Sequence, residues 1–164
     1  MDVITANELK TNIILLYFFY LKALILLSSK FVFSLAFLDI STGEFFVAEG
    51  PNNYIDKLIQ SFQPSEIIFQ KKKKSTIEER LKEEFYTYPL EDWIFKPDYT
   101  NEILTKHFET NSLKGFGVEG MNLGIIAAGV AFHYLSETEH DKTKHITKIQ
   151  RIKESEFVWL DKFT

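Results

Sequence analysis

Apolar and polar positions along the chain fall into blocks whose period changes, and those changes mark the elements. Residues 34–50, SLAFLDISTGEFFVAEG, run through Leu35, Phe37 and Leu38 to Asp39, then Ser41-Thr42-Gly43, then Phe45, Phe46 and Val47. Two apolar runs separated by turn-forming residues predict a β-hairpin. Gly43 supplies the positive φ that a tight connection favours, and Asp39, Ser41 and Thr42 carry side chains able to hydrogen-bond the turn backbone.

Helical spacing takes over at 51–62, where Ile55, Leu58, Ile59 and Phe62 share a face behind Asn52 or Asn53 and Gln63-Pro64 ends the helix. A short strand is expected at 66–70 and a solvated basic loop at 71–74. Next come a helix at 76–85, with Ile77, Leu81 and Phe85 a turn apart, and a strand at 86–90. In the following helix Asp98 or Thr100 is the expected cap, and Tyr99, Ile103, Leu104 and Phe108 form the buried face. Its other face shows Asn101, Glu102, Thr105 and Lys106.

The loop Gly115-Phe116-Gly117 calls for glycine freedom, with Phe116 as its anchor in the core. Residues 122–139 predict a long helix that Gly124, Ala127, Ala128, Gly129 and Ala131 keep thin on one side for close packing on a sheet. From His145 onward the periodicity thins, and 142–153 is expected to be an exposed strap leading out of the domain. Paired strands followed by alternating helix and strand predict an α/β domain built on one mixed sheet flanked by helices.

The run 13–27, IILLYFFYLKALILL, allows a membrane or signal-peptide reading. It is interrupted by Lys22 and is shorter than the ~20 apolar residues of a spanning helix, and its β-branched and aromatic content favours core strands. A membrane-tethered domain stands as an alternative on this run alone.

Composition narrows the function classes. The 164 residues are 45% apolar and 15% aromatic, enough for one domain with a real core. The absence of cysteine excludes disulfides and zinc–thiolate sites. A net charge of −4 gives no overall electrostatic case for gripping a phosphate backbone. The lysines at 71–74 are followed by Glu78, Glu79, Glu83 and Glu84, which favours a solvated segment over a nucleic-acid contact.

Candidate chemistry is sparse. Asp39, Glu44, Glu91 and Asp92 lie at strand ends and invite a magnesium-site reading, yet Asp39 abuts Ser41-Thr42-Gly43 and fits turn chemistry better. His107, His133, His140 and His145 have no zinc spacing and are expected to be solvated. The 115–120 loop, GFGVEG, lacks both the lysine-serine ending of a P-loop and the dinucleotide spacing, so it is expected to be a packing turn. No catalytic, cofactor-binding or metal-ligating residue is assigned.

Two distant blocks carry a family resemblance. Residues 36–46, AFLDISTGEFF, resemble the FLDxSTGEF hairpin of the MutS connector domain (domain II) of DNA mismatch repair proteins. Residues 113–120, LKGFGVEG, followed by Gly124 to Gly129, Tyr134-Leu135, Thr138 and His145-Ile146, resemble that domain's SLxGFGVE loop and small-residue helix. Between them, Pro64-Ser65-Glu66 resembles its PxE strand, and Leu160 to Thr164 the opening of the core that follows it. The resemblance is Bacteroidetes-like and covers residues 36–164 in family order.

It implies a ribonuclease H-like fold, with residues 1–32 holding a first strand or strands, 33–140 the connector-like domain, and 141–164 the link into a core and lever domain. The implied role is to couple the mismatch-binding and ATPase domains and to help dock MutL, with Asn101, Glu102, Thr105 and Lys106 as the MutL-facing residues. Asp39, Ser41, Thr42, Gly43, Gly115, Phe116 and Gly117 are its structural motif. Neither the family's Phe-x-Glu mismatch motif nor its P-loop occurs, so the resemblance implies a fragment without enzyme activity in isolation. ATP and magnesium, contact with mismatched DNA and a homodimer are then properties of the full-length family, in the cytoplasm and not at a membrane. Because ribonuclease H-like sheets also host two-metal nucleases, a magnesium-dependent nuclease stands as the alternative.

Overall fold

A six-stranded mixed sheet in the order β5-β4-β1-β2-β3-β6 organises the chain. The computed structural model describes residues 22–28, 32–81, 85–138 and 143–154. Expectations that fall on 13–21, on 82–84, on His140 or on 160–164 lie outside the described residues.

β1 (Lys22–Ser28) pairs antiparallel with β2 (Phe33–Asp39), which pairs antiparallel with β3 (Glu44–Gly50). β4 (Glu66–Gln70) runs parallel to β1, and β5 (Tyr86–Leu90) runs parallel to β4. This antiparallel trio extended by parallel crossovers and flanked by helices is the ribonuclease H-like arrangement. The second half of the 13–27 run is therefore an inner strand, with Ile25 and Leu26 buried on opposite faces. Burial on both faces explains why its sequence is continuously apolar instead of alternating. Among the described residues, no helix is long and apolar enough to cross a membrane.

One face of the sheet, with Leu26, Leu35, Phe37, Ile67 and Phe69, is covered by α1 (Asn52–Phe62) and α2 (Lys74–Leu81). α1 starts after Pro51 without a side-chain cap: Asn52 donates to Asp56 Oδ2 instead, and the chain leaves through Gln63 in a left-handed conformation. The lysine run departs from expectation. Lys71–Lys73 forms a 3-10 turn that continues into α2 at Lys74, so the segment is helical and not a loop. At the surface it faces a pair of acids at the end of β5, with Lys71 Nζ 2.6 Å from Glu91 Oε1 and Lys72 Nζ 3.9 Å from Asp92 Oδ2.

The other face carries α4 (Asn122–Thr138), and α3 (Pro97–His107) packs on α4. Neither Asp98 nor Thr100 caps α3. Lys96 is the N-cap residue and Pro97 opens the helix, a position where the missing N–H costs nothing. Thr100 is fully buried one turn in, its hydroxyl donating to the Lys96 and Pro97 carbonyls.

The expectation of an exposed strap holds only in part, since Lys144, Thr147, Lys148 and Arg151 are exposed but the segment also touches the sheet. Residues 150–151 form β6 (Gln150–Arg151), parallel to β3 at the sheet edge, and Ile146 and Ile149 are buried. The segment's three apolar side chains, Ile146, Ile149 and Ile152, recur every third residue instead of every second, and it has only two ladder positions, so its pattern does not read as a strand.

Candidate docking surface

α4 can support α3 because both its contacts are thin. At Gly124 a Cβ would stand 2.6 Å from Val47 Cγ1 of β3, so this turn presses on the sheet. At Gly129 a Cβ would stand 2.3 Å from Thr100 Cβ and 2.6 Å from Thr100 Cα, so here the thin side meets α3 rather than the sheet. Glu49 adds a tertiary cap, its Oε1 accepting from Gly124 N at 2.6 Å in the first turn of α4.

That stacking leaves the outer face of α3 to solvent. Asn101, Glu102 and Lys106 are exposed, while Thr105 is half-buried and its hydroxyl donates to the Asn101 and Glu102 carbonyls. Three of the four expected side chains thus share an accessible helical face; the fourth is occupied with its own helix. On the buried side Leu104 is fully enclosed, with Tyr99, Ile103 and Phe108 half-buried around it.

Next to this face lies a polar cluster that the sequence did not reveal. The Tyr99 hydroxyl sits 2.6 Å from His133 Nδ1, and Trp93, 51% exposed, meets both rings edge-on. Burial lowers the His133 pKa, opposed by Glu137, and burial also raises that of Tyr99, aided by Glu137 and Glu102. A neutral imidazole accepting from a protonated phenol satisfies both trends.

In β4, Glu66 is 2% exposed and accepts from the Tyr134 hydroxyl at Oε2, while Oε1 has no hydrogen-bond partner among the described residues. Burial raises its pKa, and the Tyr134 bond opposes that rise in part. The sequence placed Glu66 at the head of the 66–70 strand and in the PxE wording, with no sign that burial leaves one of its oxygens unpartnered among the described residues.

The remaining candidates are engaged locally. Asp39 Oδ1 accepts from Ser41 N at 2.9 Å, Ser41 Oγ at 2.6 Å and Thr42 N at 3.4 Å, and Gly43, at φ 75°, donates to the Asp39 carbonyl. Thr42 Oγ1 lies 3.3 Å from Glu44 Oε2, and Glu91 and Asp92 face lysines. Among the described residues no group of three or more His, Asp or Glu side chains could hold a metal ion.

In the glycine loop, residues Leu113–Phe116 form a 3-10 turn ended by Gly117 at φ 72°. Gly115 has no positive φ, and Leu113 and Val118 are the deep anchors while Phe116 lies half-buried against Phe108.

The solvated-histidine expectation fails for His133, whereas His107 is half-buried and His145 is exposed, each with one ring nitrogen engaged. His133 is buried, and the Nε2–H groups of His107 and His145 donate to the carbonyls of Ile146 and Ile40, each at 2.7 Å.

Comparison with known proteins places these features in a family. The model described as MutS domain II matches residues 20–147. The DNA mismatch repair protein MutS of Flavobacterium johnsoniae is 56% identical over 130 residues, which is 79% of this chain and 15% of the relative. Those of Cytophaga hutchinsonii and Bacteroides fragilis are 55% and 52% identical over the same shares. The chain therefore spans about 15% of the length of these curated relatives.

Proposed function

The chain belongs to the MutS domain II family, and from that premise we propose that it works as the connector of a longer, cytoplasmic DNA mismatch repair protein, joining a mismatch-binding domain to an ATPase domain and docking MutL. ATP, magnesium and mismatched DNA are then bound by other domains, which also make the homodimer. The part described here moves and presents surface without catalysing a reaction.

The observation that carries this reading is the layering of sheet, α4 and α3. α3 is held outside α4 by the Gly129–Thr100 contact, so Asn101, Glu102 and Lys106 project from a rigidly backed helix. A docking helix needs that support, because a partner binds tightly only where little ordering remains to be done on contact. The nuclease alternative finds no such support: Asp39 serves its turn, and Glu91 and Asp92 face Lys71 and Lys72.

Charge reversal at both Glu102 and Lys106 in the full-length parent tests the reading. MutL recruitment is expected to fall about tenfold or more, the scale of losing one well-packed contact group, with mismatch affinity unchanged. Recruitment at the parental level would refute the α3 surface.

A further inference from the structure

Residues 143–152 are tied to the domain by hydrogen bonds to three elements, α3, β3 and α1, and to the β2–β3 turn. His107, the last residue of α3, donates through Nε2 to the Ile146 carbonyl at 2.7 Å. His145 donates through Nε2 to the Ile40 carbonyl in the β2–β3 turn, also at 2.7 Å. Ile152 N donates to Val47 O at 2.8 Å, and the Tyr54 hydroxyl of α1 donates to Ile152 O at 3.3 Å.

The hairpin turn is shaped for this contact. A Cβ on Gly43 would stand 2.9 Å from His145 Cδ2 and 3.1 Å from the His145 carbonyl oxygen, so the glycine is needed for space as well as for its φ of 75°. The FLDISTGEF and HI segments, remote in sequence, are two halves of one contact.

The rest of the attachment is slight. β6 contributes two ladder positions, Phe46↔Gln150 and Val47↔Arg151, against seven between β2 and β3. Lys144, Thr147, Lys148 and Arg151 are exposed between the anchors, and only Ile146 and Ile149 are fully buried. Segments with few buried apolar contacts and short ladders open locally at free energies well below global unfolding.

We infer that residues 143–152 form a releasable edge strand, latched by the His107–Ile146 and His145–Ile40 hydrogen bonds, which opens from β3 while the other five strands stay paired. Because His107 directly follows Lys106, engaging or releasing the latch alters the last turn of α3. Tension on the chain beyond residue 152 is thereby felt at the α3 outer face. That consequence for α3 rests on the docking reading, whereas the latch itself does not.

Amide hydrogen exchange by NMR on the 164-residue chain tests the latch without any partner, so its outcome is independent of MutL recruitment. In the parent, the Ile152 amide should exchange faster than the β2–β3 ladder amides by on the order of tenfold or more, with little dependence on dilute denaturant, as for a local opening. His107→Ala and His145→Ala should each speed exchange at Ile152 about fivefold, the equivalent of one ordinary hydrogen bond, and leave the β1–β2 amides unchanged. Exchange of Ile152 in step with the β1–β2 amides would overturn the proposal. So would equal acceleration across the sheet in either variant.

Discussion

Gly129 of α4 lies so close to Thr100 of α3 that a Cβ built on the glycine would stand 2.3 Å from Thr100 Cβ, 2.6 Å from its Cα and 2.7 Å from its carbonyl oxygen. Two of those atoms are backbone, so no rotamer change relieves the clash. Gly129→Ala is therefore expected to destabilise the domain by about 1–3 kcal/mol, overpacking outweighing the gain in helix propensity. Gly124→Ala should cost less, because its Cβ would meet Val47 Cγ1 and the Met121 side chain, which can shift. Urea denaturation of both variants checks the order, and a Gly129→Ala protein as stable as the parent would contradict the close crossing.

Burial raises the Glu66 pKa above its ordinary value of 4.5, and this sets the sign of a pH dependence. As pH rises past that value the unfolded chain releases this proton while the folded chain retains it. The unfolded state then binds fewer protons, so stability falls until pH exceeds the raised folded value. Glu66→Gln, neutral throughout and still able to accept from Tyr134, should gain on the parent between pH 4 and pH 7 in denaturant midpoint. A gap that stays constant over that range would show Glu66 to be unshifted.

His133 acts in the opposite direction. Its pKa is lowered from 6.5, first by burial, so below that value the unfolded chain takes up a proton that the folded chain refuses. The unfolded state then binds more protons, and stability is lost as pH falls from about 6.5 toward the lowered folded value. His133→Gln should remove this part of the loss. An NMR titration of the parent should place the His133 midpoint below 6.5, and a midpoint at or above it would reverse the argument.

Strands were the most legible part of the fold. The bounds expected at 66–70 and 86–90 are those of β4 and β5, since short apolar runs bounded by proline, lysine and acidic residues admit few other readings. Helix caps were less legible than helix bounds: α4 starts at Asn122 as expected but takes its cap from Glu49, 75 residues away, and α3 opens on Pro97 without a side-chain cap. The outer face of α3 followed from helical periodicity, apart from Thr105, whose hydroxyl turns back to the helix backbone. The histidine hydrogen bonds were missed because their acceptors are remote: Ile146 lies 39 residues from His107, and Ile40 lies 105 from His145.

The sequence by itself determined what local chemistry can encode: the hairpin and its Asp39–Gly43 turn, the strand and helix periods, and the family wording at the two ends. Tertiary structure decided what those pieces touch. Gly43 makes room for His145, Gly129 for Thr100, and Gln150 and Arg151 of the exposed strap join the sheet as β6. The physical reason is separation along the chain. Turn and helix preferences are settled within a few residues, whereas a hydrogen bond between His145 and Ile40 exists only once the sheet order and the helix crossing have brought their elements together.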